Sequence, residues 1–482
     1  MDRASRSWLR PALYLAAVLV ALAIVQWGAA GERAEDTQPA PEPSVATSTP
    51  STETAEIRAD TAPKAKNVIL FIGDGMGFAQ VAASGLYENG KAGTLPFESF
   101  PVTLAMSTYP AGGGYDPDEV WSDPETVKSG ATDSAAAATA MSTGVKTVNG
   151  AIGVDPEGRA LGNLMEASEQ LGKATGLVTS VPFSHATPAA FAAHHPDRHD
   201  YEEIAGQMLL ESALDVIMGA GNPDFDDDAE PAGILRGYEY VGGRDLWEQL
   251  ARGEAGGDAD GDGEPDPWTL LQDASEFDSL AEGPAPSRVL GVAKVSDTLQ
   301  EERDGGGDMP FDAPFNEGVP TLAQMTRAAL NILDDDPDGF ILVVEGGAID
   351  WACHDHDLAR MLEEMRDFTA AVDAASTWTE AESGWSETLV IVTADHETGF
   401  LTGPEYEPDD TAREWLEPAG RGRGQLPRVE WHTAGHTNQL VPLFAKGAGA
   451  DTFELAADQY DPVRGPYLDN TELAEGIWRL LR

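Results

Sequence analysis

Cysteine is almost absent from this chain. Cys353 stands alone, so no intrachain disulfide can form and the fold is held by packing rather than by cross-links. Basic residues are scarce as well: 30 Lys and Arg face 83 Asp and Glu, a formal net charge of -53. A surface of that sign repels nucleic-acid phosphates and anionic lipid headgroups, which excludes nucleic-acid binding as a function class. The acidity reads either as a solvation device for salty surroundings or as a surplus of solubility, and self-repulsion of this size, harmless only when screened, favours the first. An anionic substrate would need a local positive centre, and with so few Lys and Arg, bound metal ions are the natural way to supply one.

Long apolar runs are missing too, with one exception near the start. Arg3, Arg6 and Arg10 precede an apolar stretch from Ala12 to Val25, and Gly28-Ala29-Ala30 follows. Positive flank, apolar core and small residues in that order predict a signal peptide over residues 1–30. An uncleaved membrane anchor is the alternative, because Pro11 to Ala30 nearly spans a bilayer. No cysteine follows the run, so lipid attachment there is excluded. Either reading puts the bulk of the chain in the periplasm or outside the cell, touching a membrane only if the segment stays attached.

What the chain does have is enough apolar character, 41 % over 482 residues, to bury a large core. Residues 31–65, rich in Pro, Ser, Thr, Ala and Glu, cannot offset the entropy of ordering and are predicted to be a linker. A folded domain is expected over 66–482. It begins with the apolar run Asn67 to Ile72, and similar runs recur at Gly176–Val181, Phe340–Val344, Leu389–Thr393 and Leu440–Ala445. Each suits a buried strand. Between them, Thr321–Leu333 and Leu358–Ala375 carry apolar residues at helical spacing. Strands alternating with helices predict an α/β fold: a large, mostly parallel sheet with helices on both faces. Two stretches, 222–317 and 403–428, read as acidic or variable loop insertions, with a short strand or helix interspersed in the first. Within it, Asp258-Ala259-Asp260-Gly261-Asp262-Gly263 resembles the start of a calcium loop, but Thr269 occupies the twelfth position, where a carboxylate is needed. A solvated acidic loop is the expectation there.

The informative residues follow the apolar runs. Asp74 lies just past the first, Glu345 and Asp350 past another, and Asp395-His396 past a third. Ligands of open α/β sheets bind beyond the carboxyl ends of strands, and acids converging there require cations. Asp350 and His354 are four apart in a helical segment, so they share a face and can share an ion; His356 points elsewhere. Mixed imidazole and carboxylate sets suit zinc, and all-oxygen sets suit magnesium. Ser134 opens the Ala-rich run Ala135 to Ala138, which predicts a helix with Asp133 or Ser134 at its first turn. A serine there sees the positive end of the helix dipole; the plain alternative is a simple N-cap. Arg198, one of few cations in its half of the chain, can grip two phosphate oxygens, or can pair with Asp197 or Asp200.

Together these segments resemble the alkaline phosphatase family: Val68 to Gly77, Thr132-Asp133-Ser134-Ala135, His185-Ala186-Thr187-Pro188 with Arg198, Val344-Glu345-Gly346-Gly347 with Asp350 and His354, Thr393 to Glu397, and Gly435-His436-Thr437, all in family order. The resemblance implies hydrolysis of phosphate monoesters through a phosphoserine at Ser134, with Arg198 on the phosphoryl oxygens. It implies one zinc held by Asp350, His354 and His436, a second by Asp74, Asp395 and His396, and a magnesium by Asp74, Thr187 and Glu345, with His185 beside it. It also implies a homodimer. His436 rather than His432 fits the family pattern, being followed by Thr shortly before a strand. His185 and Trp351 stand where other members carry a carboxylate and a Lys or His, which leaves the third metal's identity open. The rival readings are a phosphodiesterase or sulfatase of the wider superfamily, and a secreted metal-binding protein without catalysis.

Overall fold

The computed structural model describes residues 64–233, 237–404 and 416–482, all within the compact unit Thr61–Arg482. The signal peptide or anchor, nearly all of the linker, and residues 405–415 of the second variable stretch lie outside the described residues. The linker boundary moves slightly. Ala65 is buried and its amide donates to Leu480 O at 2.9 Å, so the fold has begun before Asn67.

The strands are β1 (Asn67–Gly73), β2 (Val102–Ser107), β3 (Ala174–Pro182), β4 (Val216–Ala220), β5 (Thr269–Leu271), β6 (Val289–Val292), β7 (Phe340–Gly346), β8 (Thr388–Thr393), β9 (Glu397–Thr398), β10 (Leu401–Thr402), β11 (Glu430–Trp431), β12 (His436–Thr437), β13 (Val441–Gly447), β14 (Gln459–Asp461) and β15 (Gly465–Asp469). Eleven of them form one sheet in the order β14-β15-β2-β13-β8-β1-β7-β3-β4-β6-β5. From β8 through β5 every neighbouring pair is parallel, whereas β13 runs antiparallel to both β8 and β2. The fold class is therefore the α/β arrangement expected from the alternation of apolar runs and amphipathic stretches.

The central strands carry continuous apolar runs because both faces are covered. All seven residues of β1 are buried, and Phe71 meets Phe368 of the helix Leu358–Trp378 edge to face at 5.9 Å. Burying a side chain of that size contributes roughly 2–3 kcal/mol. Pro442, inside β13, lacks an amide proton, yet the strand tolerates it. Pairing with β8 starts only at Phe444, and the Pro442 carbonyl instead accepts the Thr393 hydroxyl at 2.9 Å.

The acidic segment 222–317 is more ordered than its composition suggests. It supplies β5 and β6 to the sheet and two short helices, Arg244–Leu250 and Ala274–Leu280. Val289-Leu290-Gly291-Val292 is a four-residue apolar run, all buried, short enough to be hidden among Asp and Gly. Among the described residues no helix is long and apolar enough to cross a membrane.

Candidate active site

Strands β8, β1 and β7 are neighbours and parallel, so their carboxyl ends deliver side chains to one place. Asp74 follows β1, Glu345 closes β7 and Asp350 lies in the helix Ala348–His354 behind it, and Asp395 and His396 follow β8. Because β13 is antiparallel, the residues just before it reach the same edge; β12, paired with β9, sets His436 there. The backbone passes so close that Gly75, at φ +72°, has no room for a side chain: a Cβ would sit 2.9 Å from Thr398 Oγ1 and 3.0 Å from Asp350.

Three groups of donors result. In the first, Asp350 Oδ2 lies 3.1 Å from His354 Nε2, Asp350 Oδ1 lies 3.6 Å from His436 Nε2, and the two Nε2 atoms are 3.1 Å apart. The other ring nitrogens face carbonyls, His354 Nδ1 at 2.6 Å from Ala434 O and His436 Nδ1 at 2.9 Å from Thr132 O. A carbonyl only accepts, so each Nδ1 carries a proton, and both Nε2 atoms point into the same gap. Second, His396 Nε2 stands 3.4 Å from Asp74 Oδ1, 3.2 Å from Asp395 Oδ2 and 3.3 Å from Ser134 Oγ. Its ring stacks on that of His436 at 3.6 Å, so the two groups adjoin. Third, Glu345 Oε2 accepts the Thr179 hydroxyl, while Glu345 Oε1, Thr187 Oγ1 and His185 Nδ1 are buried without a hydrogen-bond partner.

Asp74 Oδ1 and Asp395 Oδ2 are likewise buried and unpartnered. Each such atom costs about 1–3 kcal/mol, a cost that makes sense only where ligands complete the bonding. Titration agrees. Burial first, then the charges of Asp395, Asp350 and Glu345, push Asp74 well above the usual carboxylate range. Burial, then Asp350 and Glu345, lifts Asp395 to about 8, and burial raises Glu345 to about 7. Burial also works against the charge of Asp350, yet His354 and His436 hold it well below its ordinary value. So many acids in one dry place ionise together only around cations, and the donor chemistry fits divalent ions.

Ser134 begins the helix Ser134–Thr143, and Asp133 caps it by accepting from Ala136 N at 2.9 Å. The other oxygen of Asp133 accepts from Arg198 Nη1 at 3.1 Å and from Gly150 N at 2.9 Å. Arg198 is thereby aimed at the same helix end as the serine. His185 stacks on Tyr201 at 6.0 Å and meets Trp351 edge-on at 5.7 Å; burial, then Arg198, drives it down to about 3, so it stays neutral and can offer a lone pair.

A family model described as Alkaline phosphatase matches residues 65–413. Alkaline phosphatase 3 of Bacillus subtilis (strain 168) is 29% identical over 90% of this chain and 93% of its own. Alkaline phosphatase of Escherichia coli (strain K12) is 33% identical over 71% and 73%. The solved alkaline phosphatase of the Antarctic bacterium TAB5 superposes with a TM-score of 0.60 at 25% identity, covering 87% of this chain and 98% of that one. A cold-active alkaline phosphatase of Shewanella sp. gives 0.61 at 26%, over 86% and 100%. The chain belongs to the alkaline phosphatase family. It is therefore a phosphatase, and phosphomonoester hydrolysis and metal dependence come with the family.

Asp74, Ser134, Glu345, Asp350, His354, Asp395, His396 and His436 lie together at this edge of the sheet. The two histidines weighed as weaker candidates point away: His432 Nε2 pairs with Thr402 Oγ1 at 2.8 Å, and His356 Nε2 contacts Thr433 O at 2.7 Å while its ring stacks on Trp431. Sequence reasoning missed the supporting residues. Thr398 donates its hydroxyl to Asp350. Buried Glu397 accepts from Gln80 Nε2 at 3.1 Å, Leu401 N at 2.9 Å and the Thr437 hydroxyl, tying β9 to β12 and so positioning His436. Glu397 is visible in the motif, but nothing in its neighbours in sequence says that it faces Gln80 and Thr437.

Proposed function

We propose that the chain hydrolyses phosphate monoesters to an alcohol and inorganic phosphate through a phosphoserine at Ser134, outside the cytoplasm. The observation that carries this reading is the position of Ser134 Oγ, at a helix N-terminus and 3.3 Å from a histidine nitrogen that two unpartnered carboxylates surround. Asp350, His354 and His436 would hold one zinc, Asp74, Asp395 and His396 a second, and Asp74, Thr187 and Glu345 a magnesium with His185 beside it. A TAB5 variant with a histidine replaced by aspartate has been solved with Mg bound in its M3 site, which supports magnesium for the oxygen-rich third group. When bound, such ions lower the pKa of a serine hydroxyl or water and neutralise charge on the transferring phosphoryl group.

The protein's own groups then divide the work. Arg198, held by Asp133, grips phosphoryl oxygens through its planar fork. The helix N-terminus behind Ser134 favours the negative charge that gathers on the phosphoryl group. Ser134 Oγ attacks phosphorus in line, the P–O bond to the alcohol breaks, and the serine proton ends on the departing alcohol oxygen. Water then attacks the phosphoserine from the vacated side, releasing phosphate and restoring the hydroxyl. Two inversions predict net retention at phosphorus. These groups hold only the phosphoryl part, so the alcohol can vary widely.

The deciding experiment measures 4-nitrophenyl phosphate turnover by wild type and Ser134→Ala, with zinc and magnesium supplied. At least a ~10³-fold loss in kcat is expected for the variant, together with loss of wild-type activity in chelator and its return with zinc. Comparable turnover by Ser134→Ala, or faster cleavage of bis(4-nitrophenyl) phosphate than of the monoester, would overturn the reading.

A further inference from the structure

The backbone just before Ser134 is held by a side chain outside the catalytic set. Residues 129–133 join the short helix Pro124–Lys128 to the helix Ser134–Thr143 and belong to no strand. Ser129 and Gly130 are exposed, and a Cβ at Gly130, whose φ is +68°, would meet nothing within 4 Å. Packing therefore does little to fix where this segment stands. Asn149 fixes it with both ends of one amide. Its Oδ1 accepts from Asp133 N at 3.2 Å, and its Nδ2 donates to Ala131 O at 3.0 Å. Exchanging the oxygen and nitrogen would set acceptor against acceptor and donor against donor, so the two contacts together fix the amide's orientation. A neighbouring β-strand would offer an extended segment the same donor and acceptor; here a side chain takes its place.

Three functional groups hang on the backbone so clamped. Thr132 O, between the two bonds, meets His436 Nδ1 at 2.9 Å. The Asp133 carboxylate holds Arg198 Nη1 at 3.1 Å, and Ser134 follows directly. The turn that carries Asn149 is tied to the same arginine. Ala151 N closes it on Val148 O at 3.2 Å, and the Gly150 carbonyl accepts from Arg198 N at 2.8 Å. Gly150 N donates in turn to Asp133 Oδ2 at 2.9 Å, and its φ of +87° suits glycine at the third position of a turn. Asn149 is itself exposed, so water can replace its bonds at small cost in stability. Its effect is on position.

We propose that Asn149 is a positioning residue for phosphoryl transfer, a role that rests on the phosphoserine reading above. It holds residues 131–133 so that Ser134, the His436 imidazole and the Arg198 guanidinium face one phosphoryl group. It touches no reacting atom and acts through Thr132 and Asp133.

The test uses the full holoenzyme with zinc and magnesium supplied, as wild type, Asn149→Ala, Asn149→Asp and Val148→Ala, the last at an exposed neighbour in the same turn. For Asn149→Ala, kcat/KM for 4-nitrophenyl phosphate is expected to fall by about ten-fold or more. Its Ki for inorganic phosphate is expected to rise by at least about three-fold, with a melting temperature close to that of wild type. Hydrogen exchange at the Asp133 amide, read by mass spectrometry on peptides spanning residues 129–134, should quicken in the same variant. Isosteric Asn149→Asp keeps the acceptor but sets an oxygen against Ala131 O, so it should do no better than Asn149→Ala; mere space-filling would leave it at the wild-type level. Val148→Ala should match wild type throughout. Unchanged kcat/KM and phosphate affinity in Asn149→Ala, or an equal loss in Val148→Ala, would overturn the proposal. A wild-type protein inert toward the monoester would instead sink the phosphoserine reading, and phosphate affinity would still decide whether Asn149 sets the geometry of the site.

Discussion

One carboxylate, that of Asp133, accepts hydrogen bonds from Ala136 N, Gly150 N and Arg198 Nη1. It caps the helix that carries Ser134 and aims the guanidinium beside it. Asp133→Ala should therefore cost about 1 kcal/mol of stability through the lost cap, and should also release Arg198. Steady-state kinetics on a monoester should show KM rising by about ten-fold or more, with a smaller change in kcat, because the guanidinium is still present but no longer held in place. Denaturant titration reads the first effect. Equal KM in variant and wild type would show that Arg198 is positioned by other contacts, such as its own backbone bond to Gly150.

The helix Leu358–Trp378 shows how an element can carry charge into the interior. Arg303 Nη2 and Arg360 Nη1 reach the same Glu363 oxygen at 2.8 and 3.0 Å, and Phe311 N donates to the other at 2.5 Å. These contacts fix the loop before the helix Leu322–Leu333 against this helix. Glu364, buried beside them, is left with less compensation: burial, then the charges of Asp367 and Glu363, raises it to about 8. A carboxyl whose folded pKa exceeds its unfolded value stabilises below about pH 4.5, and the contribution is lost as pH rises through about 8. Wild-type stability should thus fall between about pH 5 and 8, and Glu364→Gln should flatten that slope, leaving the variant more stable than wild type at pH 9 by on the order of 5 kcal/mol. Urea denaturation of both proteins across this range, at fixed metal concentration, checks it. Parallel profiles would count against a protonated Glu364.

Over the whole molecule, the net charge of -53 acts on folding and on substrate encounter. Self-repulsion is screened by salt, with a Debye length of about 10 Å at 0.1 M and about 3 Å at 1 M. The melting temperature should rise between about 0.05 and 1 M sodium chloride, and kcat/KM for a dianionic monoester should rise over the lower part of that range as long-range repulsion is screened. Calorimetry and steady-state kinetics over one salt series test both. A melting temperature that falls with salt would mean that attractive ion pairs outweigh the acidic surplus.

The chain's own order of residues determined the fold class and the family motifs. Apolar runs such as Asn67–Ile72 and Phe340–Val344 are buried strands because only a doubly covered sheet accepts continuous apolar sequence, and the acids just past them fall at one edge because those strands are parallel. The edge strands β5 and β6 were obscured, since a four-residue apolar run inside acidic loops leaves too short a pattern to distinguish from its surroundings. Which histidine faces Asp350 was decided by tertiary structure: His432 and His436 are four residues apart, and the pairing of β12 with β9 turns the second inward. The same holds for Glu397, Thr398 and the Asp133–Arg198 pair. Spacing along a chain fixes which residues share an element; what stands opposite them is set by how separate elements pack.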